Sequence, residues 1–164
     1  MFRAGIITAS DKGAAGQRED LSGPAIRELL EATGEYTVVR YVILPDDREL
    51  LRETMARWCD EGAADLILTT GGTGFSPRDW TPEATADVCQ RMVPGIPEAM
   101  RAMSMQITPR AMLSRGTAGI RGRTLIVNLP GSPKAVRESL GFVLPALGHG
   151  LEVLAGSAGE CARG

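Results

Sequence analysis

Apolar positions along the chain follow two alternating rhythms. Phe2–Ala9 (FRAGIITA), Tyr36–Leu44 (YTVVRYVIL), residues 65–70 (DLILTT) and Thr124–Leu129 (TLIVNL) are short aliphatic runs with the length and β-branched content of buried strands. Between them apolar residues recur at helical spacing. Ser22–Ala32 opens on Ser-Gly-Pro, and Leu51, Met55 and Trp58 fall at i, i+4 and i+7. At Thr81-Pro82-Glu83 a hydroxyl stands at the N-cap, a proline at the first helical position and an acid in the first turn, which predicts a helix over 82–91. Residues 95–105 carry Ile96, Met100 and Met103 on one face. Ser132-Pro133 opens a further helical pattern to about Leu154, where Pro145 and Gly148 predict breaks or a kink.

Strands alternating with helices predict an α/β fold, a three-layer sandwich whose mainly parallel sheet is flanked by helices. Residues 1–164 show no internal repeat or linker and read as a single domain, with 156–164 as a frayed tail. With 18 Lys and Arg against 20 Asp and Glu, interspersed, the chain offers no electrostatic reason to bind nucleic acid or an anionic membrane. The longest apolar stretches are far shorter than the ~20 residues a bilayer needs, and Met1 to Ala9 runs straight into Ser10 and Asp11, unlike a signal peptide. A cytoplasmic location is the resulting expectation. Cys59, Cys89 and Cys161 are spaced as structural thiols, and the lone His149 lacks partners at zinc or triad spacing. The methionines are expected to fill the core.

The 20 glycines concentrate the interest, because 66–79 (LILTTGGTGFSPRD) is a strand that empties into Gly71-Gly72-Thr73-Gly74. In open α/β sheets ligands bind beyond the carboxyl ends of strands, where glycines let backbone N–H groups approach phosphate oxygens. The loop is neither a P-loop nor the dinucleotide fingerprint, since Pro77 takes the third glycine position; a phosphate cradle and a plain tight turn both remain open. The other runs end in comparable groups: Ser10-Asp11, Pro45-Asp46-Asp47, and Pro130-Gly131-Ser132-Pro133-Lys134 at a helix start. If the four strands are parallel, these loops share one edge. Anion cradles beside Asp11, Asp46 and Asp79 then imply a Mg²⁺-bound nucleotide or similar polyphosphate, although each carboxylate alone suits an N-cap or a solvated loop. Without a placed histidine or activated nucleophile, the fitting chemistry is phosphoryl or nucleotidyl transfer, with Arg78, Arg115, Arg121 and Lys134 as candidate clamps.

TTGGTGFSPRDWTPEA (69–84), LSRGTAGIRG (113–122) and NLPGSPKAV (128–136), with the early Ser-Asp, DLSGP and LPDD, resemble the molybdopterin adenylyltransferase family across nearly the whole chain. Its members include the bacterial Mog and MoaB proteins and the G domains of plant and animal molybdenum-cofactor enzymes. The resemblance implies a trimeric enzyme of molybdenum cofactor biosynthesis. It would take molybdopterin and Mg-ATP, transfer AMP to the terminal phosphate of molybdopterin, release pyrophosphate and hand its product to a molybdenum-inserting partner. It implies Asp46 and Asp79 as catalytic residues and Mg²⁺ ligands, Asp46 mainly for Mg-ATP and Asp79 for pterin and metal. It places Gly72, Thr73 and Gly74 around the molybdopterin phosphate. Ser10, Asp11, Gly71, Ser114, Arg115, Pro130, Gly131 and Ser132 complete the substrate-binding set. Trp80 stands where relatives carry a small β-branched residue, a change expected to alter packing. Two alternatives stay open, a MoaB-type paralogue and a non-catalytic pterin- or nucleotide-binding module.

Overall fold

The computed structural model describes residues 1–157. Six strands, β1 (Phe2–Ala9), β2 (Tyr36–Leu44), β3 (Leu66–Thr70), β4 (Arg91–Met92), β5 (Ala118–Arg121) and β6 (Thr124–Leu129), form one sheet in the order β2-β1-β3-β6-β5-β4. The helices are α1 (Asp11–Ala14), α2 (Ser22–Ala32), α3 (Arg48–Asp60), α4 (Thr81–Val88), α5 (Gly95–Ser104) and α6 (Pro133–Ala155), with a 3-10 turn at Pro109–Leu113.

The four expected strands are all parallel, and their neighbours beyond β6 are antiparallel. Alternation along each strand splits the core between two helical layers. Ala4, Ile6, Leu66, Leu68, Leu125 and Val127 face α2, α5 and α6, whereas Ile7, Ala9, Ile67 and Ile126 face α3 and α4. Leu51, Met55 and Trp58 bury the predicted face of α3 against the second group. Fully burying one such aliphatic side chain contributes about 2 kcal/mol of transfer free energy, so the central strands are the stable part of the molecule.

Several elements depart from the sequence pattern. The helix expected over 82–91 ends at Val88, because Cys89 turns extended and the Gln90 N–H is donated to the Ile120 carbonyl (2.8 Å), drawing Arg91 and Met92 into β4. Thr81 does not cap this helix: the N-cap is Trp80, and Thr81 opens the first turn with its hydroxyl buried. The region expected to break at Pro145 is one continuous helix of 23 residues. Pro145 lies on its exposed side, while Val136, Leu140, Val143, Leu147 and Leu151 hold a single stripe on the sheet across the proline. Gly156 closes α6 in the left-handed conformation, so the expected tail is structured at its start; 158–164, with Cys161, lie outside the described residues. Met55 and Met100 fill the core as expected, but Met92, Met103, Met105 and Met112 are exposed. Cys59 and Cys89 are half-buried free thiols, each pushed up to about 11 by burial, and His149 is an exposed imidazole on α6 whose Nδ1 lies 4.0 Å from Glu152. Among the described residues no helix is long and apolar enough to cross a membrane.

Candidate active site

Parallel register sets the carboxyl ends of four strands side by side. Ala9 is opposite Leu44, Thr8 opposite Thr70, and Thr70 opposite Leu129, so the four following loops share one edge as expected. Two hydroxyls tie them together: Thr70 Oγ1 donates to the Pro130 carbonyl (2.6 Å) and Ser22 Oγ to the Gly131 carbonyl (2.7 Å). Gly71 and Gly72 both have positive φ, +88° and +69°. A Cβ on Gly71 would run into the Ala9 carbonyl oxygen, and one on Gly72 into Thr81 Oγ1, so the loop is closed to any larger residue. That Thr81 hydroxyl is fully buried and has no hydrogen-bond partner among the described residues.

The carboxylates are organised rather than merely adjacent. The Asp11 N–H donates to Asp46 Oδ2 (3.0 Å) and the Asp46 N–H to Asp11 Oδ1 (2.9 Å), a reciprocal clip between the ends of β1 and β2. Arg78 grips Asp11 with two bonds, Nε to Oδ2 (3.0 Å) and Nη2 to Oδ1 (2.9 Å), and holds its carboxyl below the usual aspartate range. Asp46 behaves oppositely: burial above all, with the charges of Asp11 and Asp79, raises its carboxyl despite the Asp11 N–H. Asp79 is aimed by the Ser76 N–H, which donates to its Oδ2 (3.0 Å).

Two cavities open on either side of the ridge made by Gly71–Gly74 and Pro130–Gly131. One, of about 520 Å³, is polar and acidic and includes Ser10, Asp46, Gly71, Gly72, Asp79, Gly131 and Ser132. The other, of about 300 Å³, is mostly apolar and includes Thr73, Gly74, Met100, Ser114, Asn128 and Pro130. All the expected site residues therefore line one cavity or the other except Asp11 and Arg115. Asp11 is taken up by Arg78 and Asp46, at the rim. The Arg115 side chain enters neither of the two; it bonds Gly74, Asp79 and Glu83 and lines a third, more open cavity of about 370 Å³ with Gly74, Phe75, Asp79 and Trp80. Of the remaining candidate clamps, Arg121 is far from the edge, paired with Asp60 (2.9 Å), and Lys134 is exposed in the first turn of α6. At Trp80 the indole N–H donates to the Pro77 carbonyl (3.1 Å) and the Arg48 guanidinium lies 5.5 Å from the ring centre.

Several wall residues carried no functional signal in the sequence. Asp20 lines the acidic cavity and accepts from Thr8 Oγ1 (2.7 Å), Tyr41, and the Ser22 and Gly23 amides (3.0 and 3.1 Å). Burial opposes its ionisation, but these donors together hold its carboxyl below the usual range. The DLSGP segment did mark this helix start, and only the fold shows that its cap is also cavity wall. Asn128, fully buried, donates to Thr69 and Thr85 Oγ1 (both 2.9 Å) and fixes the floor of the apolar cavity.

No cluster of three or more His, Cys, Asp or Glu among the described residues forms a ready-made metal cage. Mg²⁺ is ordinarily held by one or two carboxylates together with substrate phosphates. A half-buried Asp46 whose ionisation is disfavoured by burial first and then by the charges of Asp11 and Asp79, with Asp79 on the same wall, has the chemistry of such a site.

A family model described as a probable molybdopterin binding domain matches residues 5–149. The chain belongs to this family. Molybdopterin adenylyltransferase of Helicobacter pylori (strain J99) is 46% identical to it over 157 residues, 93% of this chain and 88% of that protein. The molybdopterin adenylyltransferase of Escherichia coli K12 is 39% identical over 149 residues, 90% of this chain and 76% of that protein. The crystal structure of the molybdopterin biosynthesis enzyme MoaB from Thermus thermophilus matches with a TM-score of 0.90 at 53% identity, covering 95% of this chain and 98% of that one. This chain and the Thermus protein share an α/β sheet with helices on both sides.

Proposed function

We propose that the chain is a molybdopterin adenylyltransferase acting in molybdenum cofactor biosynthesis. A terminal phosphate oxygen of molybdopterin attacks the α-phosphorus of ATP, a new phosphoanhydride bond forms, and the bond to the β-phosphate breaks with pyrophosphate leaving. The observation that carries this reading is the pair of cavities, one acidic and one apolar, that meet along a single glycine ridge. An elongated molecule with a flat, polar-edged ring system at one end and a phosphate at the other suits the two sides of that ridge, and a nucleotide suits the acidic side.

The protein's part is positioning and electrostatics. The apolar cavity seats the pterin against Met100 and Pro130, with Ser114 at hand for its polar edge. Gly72, Thr73 and Gly74 cradle the attacking phosphate, the two glycines leaving the backbone open to it and Thr73 adding a hydroxyl. Ser10, Gly71, Gly131 and Ser132 receive the triphosphate, next to the N-terminal end of α6, whose positive pole favours an anion. Asp46 and Asp79 would hold Mg²⁺. When bound, that ion neutralises the triphosphate, without which a cavity walled by carboxylates repels it. Asp46 is assigned chiefly to the nucleotide and Asp79 to the junction between nucleotide and pterin, consistent with its place beside Gly74.

The working form proposed is a cytoplasmic homotrimer that passes its product to a molybdenum-insertion protein, with no nucleic acid or membrane partner. Exposed Met103, Met105, Ile107 and Met112 supply apolar surface for such assembly, which light scattering would register as three chains. A MoaB-type paralogue is the second reading, favoured by the 53% identity to the Thermus protein of that name. The deciding experiment is pyrophosphate release from Mg-ATP with and without molybdopterin. Release only with molybdopterin, with AMP recovered on the pterin, is expected. Pterin binding without release points to a binding module instead, and ATP hydrolysis independent of pterin means a different acceptor.

A further inference from the structure

The tip of the glycine loop, Phe75, Ser76, Pro77 and Arg78, is exposed at all four positions, yet Asp79 at its far end lies on the wall of the acidic cavity. Something must close the base of this tip, and Arg115 does. Its main-chain N–H donates to the Thr73 carbonyl (2.9 Å), its Nε to the Gly74 carbonyl (2.8 Å) and its Nη2 to the Asp79 carbonyl (2.7 Å). Its Nη1 pairs with Glu83 in the first turn of α4. One planar guanidinium thus spans both ends of the tip and the helix beyond it, a geometry that a fork of fixed donors suits and a single ammonium does not.

Arg115 is itself braced from behind. Arg101 of α5 donates through Nη1 to the carbonyls of Ser114 (3.2 Å) and Gly116 (2.8 Å), on both sides of Arg115. Ser114 and Arg101 line the apolar cavity, while Asp79 lines the acidic one, so Arg115 is a direct link between the two walls.

We infer that Arg115 is a positioning residue acting on the main chain: it sets the distance between Gly74 and Asp79 and so places the Asp79 carboxylate, which the Ser76 N–H orients, on the wall of the acidic cavity. The inference rests on the adenylyl-transfer reading and gives Arg115 a role through the main chain beside the pocket-lining one that family resemblance implies.

The test compares wild type with Arg115→Ala, Arg115→Lys and Glu83→Gln. It measures pyrophosphate release with Mg-ATP and molybdopterin, and independently the calorimetric affinities for Mg-ATP and for molybdopterin. Arg115→Ala is expected to lower kcat by about 100-fold, the scale of a misplacement near 1 Å, while the molybdopterin KM stays within about threefold. Its Mg-ATP affinity should fall by about tenfold, and millimolar guanidinium should restore part of the rate. Arg115→Lys should be intermediate and Glu83→Gln close to wild type, since the carbonyl bonds survive in the latter. A kcat for Arg115→Ala within about threefold of wild type overturns the inference. So does a large rise in molybdopterin KM at unchanged kcat, which would mean direct contact. Should Arg115→Ala fail to fold, wild-type rates in Arg115→Lys overturn it instead. If the wild type itself releases no pyrophosphate, the functional reading fails separately, and the two affinities still decide the role of Arg115.

Discussion

The acidic cavity and the apolar cavity share a ridge but come from different halves of the sheet. The acidic side is made from loops at the carboxyl ends of β1, β2, β3 and β6, the parallel strands, and carries Asp20, Asp46 and Asp79 on its wall. Helix α5 and the return segment through the 3-10 turn toward antiparallel β5 supply much of the apolar side, where the large contacts are Met100, Pro97 and Leu113. A rigid parallel frame therefore carries the charged chemistry, and a more irregular segment shapes recognition of the second substrate. The two halves should be separable by mutation.

The sharpest separation is Asp46→Asn. It should lower turnover by about 10³-fold while leaving molybdopterin affinity unchanged, measured by pyrophosphate release and calorimetry. Its effect on folding should have the opposite sign. The folded state raises the Asp46 carboxyl above its unfolded value, so the ionised group opposes folding at neutral pH, and the neutral amide should leave the melting temperature equal or higher. Near-wild-type turnover would remove Asp46 from the mechanism. Ala111→Phe is the mirror experiment, because Ala111 lines only the apolar cavity: KM for molybdopterin should rise by about 10- to 100-fold with Mg-ATP affinity intact. A parallel loss of both affinities would show that the cavities do not act separately.

The strand-end loops were legible in the sequence for the same reason that the parallel half of the sheet was. β1, β3 and β6, buried on both faces, are nearly continuous apolar runs, and edge strand β2 is still rich in Val, Ile and Tyr, so the Gly, Asp, Ser and Pro residues at their carboxyl ends stand out. β4 and β5 were not legible. Arg91–Met92 is only two residues long, and Ala118–Arg121 contains a glycine and an arginine, so neither has a period to detect; pairing with β6 creates them. Arg115 shows the limit for function. Its position beside Ser114 was readable, but whether its side chain entered either cavity or bonded the main chain of the loop depended on the Gly74 and Asp79 carbonyls, which no side-chain pattern reports. The continuity of α6 through Pro145 was hidden similarly, since the proline is unfavourable locally and the buried stripe on either side outweighs it.

Smaller effects refine the comparison. The acidic limb of the pH–rate profile should lie above the ordinary aspartate value of about 3.9, because activity is lost as Asp46 gains a proton and its carboxyl is raised. In Asp79→Asn one of the charges that raises Asp46 is gone, so whatever activity remains should show that limb at lower pH; an unmoved limb would mean that another group sets it. Arg121→Ala should change least. It removes a surface pair with Asp60 and a bond to the Val88 carbonyl, remote from both cavities, so turnover should be unaffected and stability should fall by about 1 kcal/mol or less.

The reciprocal clip between Asp11 and Asp46 makes the two positions interdependent in inheritance. Each carboxylate anchors the other's main-chain N–H, and Arg78 is committed to Asp11. A substitution at Asp11 therefore reaches the chemistry through Asp46, and in a background that already lacks the Asp46 charge it has little left to damage. Damage at the two sites should combine to less than its sum, so this pair of positions is constrained as one unit rather than as two.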